Sequence, residues 1–249
     1  MSNSATANAA TIQAQDGATM ADNARTAQPL PAIDADAYVD MRPHADAPIT
    51  PGAPKRVALV TGASSGLGRE FARQLDSLQV ADELWLIARN EEALAAVAAS
   101  LDTPCRIMAA DLAHPEGVAS VRAQLAAEQP RVTFLVNAAG FGKFGDWQTI
   151  SEGAVNAMID LNCRALVDMT HSALPFMGRD SRIIQVASAA AFVPLPHMNV
   201  YAASKAFVLR YTRALRWELH GTGITATALC PTWVKTGFEK VARASGGGQ

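Results

Sequence analysis

The sequence predicts an α/β protein with a doubly wound parallel sheet and helices on both faces. From residue 57 onward, short apolar runs alternate with longer amphipathic stretches, which is the pattern of a parallel sheet covered by helices. The first apolar run, residues 57–60, holds only aliphatic side chains and no charge, as a strand buried on both faces requires. This run then breaks into a glycine-rich turn and resumes as an amphipathic helix pattern from Arg69.

The alternation predicts six strands and five helices. The strands are expected near residues 57–61, 84–88, 105–109, 132–137, 182–187 and 224–230. The helices are expected near residues 66–79, 90–99, 115–128, 151–177 and 200–220. Pro130 and Pro175 stand close to the ends of two of these helices, since proline cannot continue a helix.

The glycine-rich turn after the first strand predicts a dinucleotide site in a Rossmann-type sheet. Gly62, Gly66 and Gly68 remove side chains where the backbone turns sharply and approaches a pyrophosphate. The helix that begins near Gly66 directs its free N–H groups at that anion. The spacing is Gly-x-x-x-Gly-x-Gly rather than Gly-x-Gly-x-x-Gly, so a turn that serves packing alone is the alternative.

The ends of the second and third strands suggest how the adenosine half is bound. Arg89 follows the second strand, where a cation accommodates the 2′-phosphate of NADP(H) and an acidic residue holds the ribose of NAD(H). We therefore expect NADP(H) to be preferred, with a solvated Arg89 and a ribose contact from Glu91 or Glu92 as the alternative. Asp111, followed by Leu112, offers an acceptor for the adenine amino group or a helix cap.

Composition argues against several other classes of protein. The chain has 249 residues, 49% of them hydrophobic, and a formal net charge of −2, which gives no long-range attraction for nucleic acid or anionic lipid. No membrane-spanning run and no secretory signal are visible in the sequence, so we expect a cytoplasmic protein. Cys105, Cys163 and Cys230 lie in or beside apolar runs and lack metal-ligand spacing, which indicates reduced, buried thiols and no metal site.

Residues 1–52 differ from the rest of the chain. They contain fourteen alanines and six aspartates and show no sustained helix or strand period. We expect a disordered, dispensable leader over residues 1–52 and one nucleotide-binding domain over residues 53–249.

The later strands carry the predicted chemistry. Small residues at 137–140 let a ligand lie against the backbone, and Ser188 ends the fifth strand. Tyr201 and Lys205 lie four apart on one helix face, where an ammonium can lower the pKa of a phenol. By itself the Tyr-x-x-x-Lys spacing is typical of a solvated helix surface, but its combination with Ser188 and the glycine turn predicts a catalytic site.

In this order, the motifs from about residue 56 to 238 resemble those of the short-chain dehydrogenase/reductase family. The resemblance implies that Tyr201 is the catalytic acid/base and that Lys205 binds the nicotinamide ribose and lowers the tyrosine pKa. It implies that Ser188 orients the substrate oxygen, that Asn162 sustains a water-linked proton path, and that Asn137 stabilises the sheet. Together with the glycine turn, it assigns these residues to cofactor binding: Thr61, Gly62, Ser64, Ser65, Gly66, Leu67, Gly68, Arg89, Asp111, Leu112, Asn137, Ala138, Ala139, Gly140, Tyr201, Lys205, Pro231 and Thr236.

Two features depart from the family pattern. Thr232 follows Pro231 where relatives usually have glycine, which predicts a stiffer or bulkier loop over the nicotinamide. Only eighteen residues follow Pro231 in this sequence, so we expect six strands, without the seventh strand and substrate lid of the family.

The predicted activity is NADP(H)-dependent interconversion of a ketone or aldehyde and its alcohol, in a homodimer or homotetramer formed by the helices near 151–177 and 200–220. The alternatives are a non-catalytic nucleotide-binding scaffold and an isomerase, dehydratase or epimerase on the same fold. The candidate pocket is apolar, which favours a hydrophobic carbonyl compound, and its expected residues are Phe141, Phe144, Phe192, Pro194, Met198 and Trp233.

Overall fold

The computed structural model describes residues 53–232, and its centre is a six-stranded parallel sheet. The strands are β1 (Arg56–Thr61), β2 (Glu83–Ala88), β3 (Cys105–Ala109), β4 (Arg131–Asn137), β5 (Met177–Val186) and β6 (Thr225–Leu229). Their order is β3-β2-β1-β4-β5-β6. The predicted doubly wound sheet is confirmed; the leader at 1–52, Trp233, Thr236 and the predictions for a lid and a seventh strand lie outside the described residues.

The order of the strands places the candidate site. β1 pairs with β2 on one side and with β4 on the other, so the direction of winding reverses between β1 and β4. In open α/β sheets, ligands bind outside the carboxyl ends of the strands at this switch point. The predicted glycine turn and Arg89 follow strands on one side of it, whereas residues 137–140 and Ser188 follow strands on the other.

Six α-helices connect the described strands. They are α1 (Gly66–Ser77), α2 (Glu91–Ala98), α3 (Pro115–Glu128), α4 (Glu152–Ile159), α5 (Leu166–Ala173) and α6 (Asn199–Glu218). Short 3-10 helices span Leu174–Phe176 and Ala189–Phe192. None of the helices in the described range has the length and apolar character that a bilayer crossing needs.

The prediction of a single continuous helix near 151–177 is wrong, because the helix is interrupted in its interior. A π-helical turn, Asp160–Ala165, separates α4 from α5, and a 3-10 turn follows α5. The apolar pattern runs through the whole segment, so helical periodicity does not reveal the change in hydrogen bonding. Asn162 lies in the π-helical turn with its amide fully buried and bonded to the loop after β4, and π-helical turns of this kind are frequent at functional sites.

β5 also begins earlier than predicted, at Met177 rather than near residue 182. Its register against β4 shifts between Val132 and Phe134, and Asp180 adopts a φ of +71°. The polar and glycine residues in this first half of β5 resemble a loop in the sequence, so the irregular strand start escapes a pattern-based prediction.

Alternating residues of the strands build two cores, one on each face of the sheet. Leu59 and Trp85 face one cluster, which includes residues of α3 and α5. Val60 and Leu86 face the other, which includes residues of α1 and α2. All four side chains are fully buried. This packing fixes the strand ends from which the site is built.

Candidate active site

A cleft of about 650 Å³ opens at the carboxyl edge of the sheet. Most of the predicted site residues in the described range line it: Gly62, Ser64, Ser65, Gly66, Leu67, Gly68, Arg89, Asp111, Leu112, Ala138, Ala139, Gly140, Ser188, Tyr201, Lys205 and Pro231. Thr232, Asn90 and Ala110 line it as well. Residues far apart in the chain are thus brought to one continuous surface.

The glycine turn fits a dinucleotide phosphate. Gly62 has a φ of +67°, and a Cβ at this position would lie 2.9 Å from the backbone of Ala139. A Cβ on Gly68 would lie 2.3 Å from the Gly62 carbonyl oxygen, so glycine lets α1 start against the turn. The side chain of Ser65 at the N-cap of α1 makes no capping hydrogen bond. The first amides of α1 therefore keep their capacity to bind an anion.

Arg89 and Asp111 lie close together in the lining of the cleft. Arg89 Nη1 is 4.0 Å from Asp111 Oδ2, and the arginine side chain is 76% exposed. Asp111 Oδ1 also accepts a hydrogen bond from Ala113 N at 3.0 Å. An ion pair this long and this exposed is worth little, so the guanidinium can turn to an incoming phosphate.

Asn90 is a cleft residue that the sequence interpretation missed. Its side chain accepts a hydrogen bond from Ala93 N at 2.9 Å and caps α2. An asparagine directly before a helix-favouring run was the available signal. Glu91 and Glu92, the residues named for an NAD ribose contact, are exposed in the first turn of α2 and do not belong to the cleft lining.

Tyr201 and Lys205 lie one turn apart on α6, and both are buried. Lys205 Nζ is 5.8 Å from the centroid of the Tyr201 ring and donates a hydrogen bond to Val186 O at 2.8 Å. Burial lowers the pKa of Lys205 to about 8. Burial raises the pKa of Tyr201, and a hydrogen bond with Ser188 acts in the opposite direction.

One expectation about Tyr201 stays a prediction. Lys205 was expected to lower the pKa of Tyr201; in this structure burial raises that pKa and the hydrogen bond with Ser188 lowers it, and Lys205 is not among the causes of the change. The lysine ammonium is bonded to the Val186 carbonyl, and its own pKa is reduced by burial. The phenol of Tyr201 therefore holds its proton at neutral pH in this state of the protein.

Ser188 follows β5 by two residues and forms a hydrogen bond with Tyr201. Its Oγ accepts a hydrogen bond from Ala190 N at 3.2 Å and caps the 3-10 helix Ala189–Phe192. This bond leaves the hydroxyl proton of Ser188 for another acceptor. The cap fixes the position of the oxygen that lies next to the tyrosine.

Asn162 is bonded to Phe141, a residue of the cleft lining, and to Ser204 of α6. Its Oδ1 accepts from Phe141 N at 3.0 Å, and its Nδ2 donates to Phe141 O at 2.8 Å and to Ser204 Oγ at 3.0 Å. Ser204 Oγ donates in turn to Tyr201 O at 2.7 Å. Asn162 does not belong to the cleft lining, and its role in a proton path stays a prediction. Ser204 was missed, although a serine between Tyr201 and Lys205 was the visible signal.

Thr61 and Asn137 are buried at strand ends and do not belong to the cleft lining. Thr61 Oγ1 accepts from Ala139 N at 3.0 Å. Asn137 Nδ2 donates to Thr170 Oγ1 at 3.1 Å. These bonds hold β4 and the segment after it in place, so both residues act here on the shape of the cleft.

The apolar end of the cleft differs partly from the prediction. Phe141, Phe144 and Met198 line it, whereas Phe192 and Pro194 do not. Phe192 is 63% exposed because the 3-10 helix ends there and leaves its ring on the surface. The residues missed by the sequence interpretation are Leu161, Val193 and Leu195.

The three cysteines carry free thiols and are partly rather than fully buried. Burial raises the pKa of each of them, that of Cys105 to about 11. Within residues 53–232, no group of three histidine, cysteine or acidic side chains is placed to hold a metal ion.

The chain matches known proteins over most of its length. The family model described as short chain dehydrogenase matches residues 56–246. Sulfoacetaldehyde reductase 2 of Chromohalobacter salexigens is 36% identical over 202 residues, which cover 74% of this chain and 75% of that protein.

Two solved structures are similar in sequence and fold. A short-chain dehydrogenase from Sphingobium yanoikuyae in complex with NADPH has a TM-score of 0.68 at 30% identity, covering 76% of this chain and 74% of its own. A short-chain dehydrogenase/reductase from Burkholderia phymatum in complex with NAD has a TM-score of 0.69 at 29% identity, covering 79% and 74%. The chain therefore belongs to the short-chain dehydrogenase family, and it is an oxidoreductase acting on CH–OH donors.

Proposed function

We propose that this protein uses NADP(H) to interconvert an apolar ketone or aldehyde and its alcohol. The observation that carries the proposal is the meeting of Ser188, Tyr201 and Lys205 in the same cleft as the glycine turn after β1. A phosphate site and an acid/base site in one cleft are what hydride transfer to a carbonyl requires.

The chain has residues for each part of the cofactor. The amides at the start of α1 suit the pyrophosphate, Asp111 suits the adenine, and Lys205 lines the cleft together with Ser188 and Tyr201. When bound, the nicotinamide supplies the hydride or accepts it. The residues of the chain hold the reacting oxygen and manage its proton.

Tyr201 acts as the acid in the reductive direction. Its raised pKa keeps the phenol protonated at neutral pH, so the hydroxyl donates its proton to the carbonyl oxygen as negative charge develops there. Ser188 donates a second hydrogen bond to the same oxygen, which stabilises that charge and orients the substrate. Alcohol oxidation needs the tyrosine deprotonated and becomes faster as the pH rises.

Arg89 supports a preference for NADP(H) over NAD(H). It lines the cleft, its side chain is exposed, and its contact with Asp111 is long. A 2′-phosphate offers it a charge-assisted bond that a ribose hydroxyl does not. The carboxylates of Glu91 and Glu92 do not belong to the lining.

The walls near Tyr201 support an apolar substrate. Phe144, Val193, Leu195 and Met198 surround this end of the cleft. In the described part of the lining, the cationic side chains are Arg89 and Lys205, both assigned above to the cofactor. Among the described lining residues, a substrate with an anionic tail would find no further cation.

Exposed apolar side chains support a homodimer or homotetramer. Ile159 on α4 is 45% exposed, and Phe207 and Trp217 on α6 are 45% and 39% exposed. Burial of such side chains against a second copy is favourable. These helices correspond to the segments that the sequence predicts for assembly.

Two measurements test the proposal. Calorimetric titration should show NADPH binding more tightly than NADH. Incubation with NADPH and a panel of ketones and aldehydes should consume NADPH for apolar members of the panel. Binding of NADPH without turnover of any member would favour a non-catalytic scaffold instead.

A further inference from the structure

We propose that Phe144 decides which carbonyl substituents reach Tyr201, and that a clasp between Asp146 and His197 keeps Phe144 in position. This inference rests on the proposed function, because it assigns substrate selectivity to the same cleft. It goes further by naming one side chain that sets selectivity and one contact that supports it.

Phe144 is an aromatic residue that contacts Tyr201, the proposed acid/base group. Its ring lies edge-on to the Tyr201 ring, with 6.3 Å between the centroids and 68° between the planes. Phe144 lines the cleft together with Tyr201. When the carbonyl oxygen of a substrate reaches the tyrosine hydroxyl, one substituent of the carbonyl carbon therefore passes Phe144.

The loop that carries Phe144 is fixed ahead of that residue. Both backbone groups of Phe141 are bonded to the buried amide of Asn162. Lys143 N then donates to Met158 Sδ at 3.3 Å, and Met158 is fully buried. The backbone therefore reaches Phe144 from two anchored positions.

The clasp fixes the same loop directly beyond Phe144. Gly145 N donates to His197 O at 2.8 Å, and Asp146 Oδ1 lies 2.7 Å from His197 Nδ1. His197 has a φ of +63°, a left-handed conformation that brings its carbonyl and its ring to one loop. The clasp thus joins the loop after β4 to the segment before α6 that supplies Val193, Leu195 and Met198.

We expect Phe144 and the clasp to affect substrate selectivity by different amounts. The side chains of His197 and Asp146 are 66% and 63% exposed, and exposed contacts of this kind change an equilibrium by about fivefold at most. Changes in the shape of a hydrophobic pocket alter substrate discrimination by about 10–200-fold for a single methylene. The ring should therefore dominate selectivity, and the clasp should modulate it.

The test measures kcat/KM with NADPH for ketones of graded size, from butanone to phenyl ketones. In Phe144→Ala, the ratio of bulky to small ketone should rise at least about tenfold, while NADPH affinity stays within about twofold. Phe144→Leu should give an intermediate ratio and serves if the alanine variant does not fold. The matched control is Phe192→Ala, whose ring is exposed and outside the cleft lining, and its ratio should not change.

The clasp is tested with His197→Asn and Asp146→Ala. Asparagine tolerates the left-handed backbone, so His197→Asn removes the contact between the imidazole and Asp146 without adding strain. Each variant should shift the ratio in the direction of Phe144→Ala by about two- to fivefold, through KM more than kcat. When either clasp variant is combined with Phe144→Ala, the ratio of bulky to small ketone should not shift further, because the side chain that the clasp positions is gone.

The possible failures are distinct. If the wild type binds NADPH but reduces no ketone, the proposed function fails and this inference fails with it. If the wild type reduces ketones but both Phe144 variants keep its size ratio, only the selectivity role of Phe144 is overturned. If the clasp variants shift the ratio equally with and without the ring, the clasp acts elsewhere and its positioning role is overturned.

Discussion

Lys205 donates a hydrogen bond from Nζ to the carbonyl oxygen of Val186 over 2.8 Å. Val186 ends β5, so this bond ties α6 to the strand that leads into Ser188. The lysine is 5% exposed, and burial lowers its pKa to about 8. The position of this amine at the cleft is therefore set by its bond to one backbone carbonyl.

Burial of Lys205 predicts a pH-dependent stability. The unfolded lysine keeps its ordinary pKa of 10.5, so between pH 8 and 10.5 the unfolded chain holds a proton that the folded chain has lost. The Lys205 contribution to the free energy of unfolding should therefore rise with pH across this window, by about 3 kcal/mol in total. Urea unfolding of wild type and Lys205→Met from pH 7 to 10 gives the free energy of unfolding of each protein. The difference between the two proteins isolates the Lys205 contribution, because the other titrating groups are common to both. A constant difference between the two proteins would contradict the prediction.

Arg89→Ala should remove most of the preference for NADPH. A charge-assisted bond to the 2′-phosphate is worth about 1.5–3 kcal/mol, so NADPH affinity should fall roughly ten- to a hundredfold while NADH affinity changes little. Calorimetric titration of both cofactors into both proteins checks this. Equal affinity of the wild type for NADPH and NADH would show that Arg89 does not select the cofactor.

Local patterns were enough to predict the sheet and much of the cleft. Tyr201 and Lys205 are four residues apart on a regular helix, so their common face follows from helix geometry. The glycine turn follows from strand, turn and helix signals within about twelve residues. In such cases the neighbours in space are also neighbours in the chain.

Contacts between distant segments were harder to predict. Asn162 meets Phe141 only because a π-helical turn interrupts the helix, and no local pattern marks that turn. Thr61 was predicted to touch cofactor, but its hydroxyl bonds a backbone amide 78 residues away. Phe192 and Val193 are adjacent, yet only Val193 lines the cleft. Which of two adjacent apolar side chains points into the cleft is decided by tertiary packing. Hydrophobicity alone does not encode this direction.

Thr170→Val should destabilise the centre of the sheet. Thr170 Oγ1 accepts from Asn137 Nδ2 at 3.1 Å and from Gln185 Nε2 at 2.9 Å, and these amides come from paired positions of β4 and β5. Valine would leave the Gln185 amide without this acceptor and Asn137 Nδ2 with only its 3.4 Å bond to Leu166 O, at a cost of about 2–4 kcal/mol.

The control for that experiment is Thr212→Val. Thr212 is equally buried and donates the same kind of helix bond, to Val208 O at 2.7 Å, but no side-chain amide of the described residues is bonded to it. It should cost about 1 kcal/mol. Urea unfolding that gave equal losses for the two variants would show that the amide bonds add nothing.

Phe207→Glu should weaken assembly of the protein. Phe207 is 45% exposed on α6 and stacks on Tyr211, with 6.2 Å between the ring centroids. A buried carboxylate at an apolar interface is costly, so light scattering at tens of micromolar should show a smaller species than wild type. The control is Trp147→Glu, which changes a 76% exposed ring outside the helices and should leave the mass unchanged. A monomeric wild type would remove the proposal of a homo-oligomer.

Tyr201→Phe should separate cofactor binding from chemistry. The substitution removes one hydroxyl and keeps the ring that packs edge-on to Phe144, so NADPH affinity should stay within about twofold. Carbonyl reduction should fall about 10²–10⁴-fold, the usual contribution of a positioned acid. The matched control is Tyr211→Phe on the same helix, outside the cleft lining, which should keep near wild-type rates. In the wild type, alcohol oxidation should accelerate with rising pH, because burial raises the pKa of Tyr201 and the oxidative direction needs the phenolate. A Tyr201→Phe variant with a near-normal rate would mean that another group donates the proton.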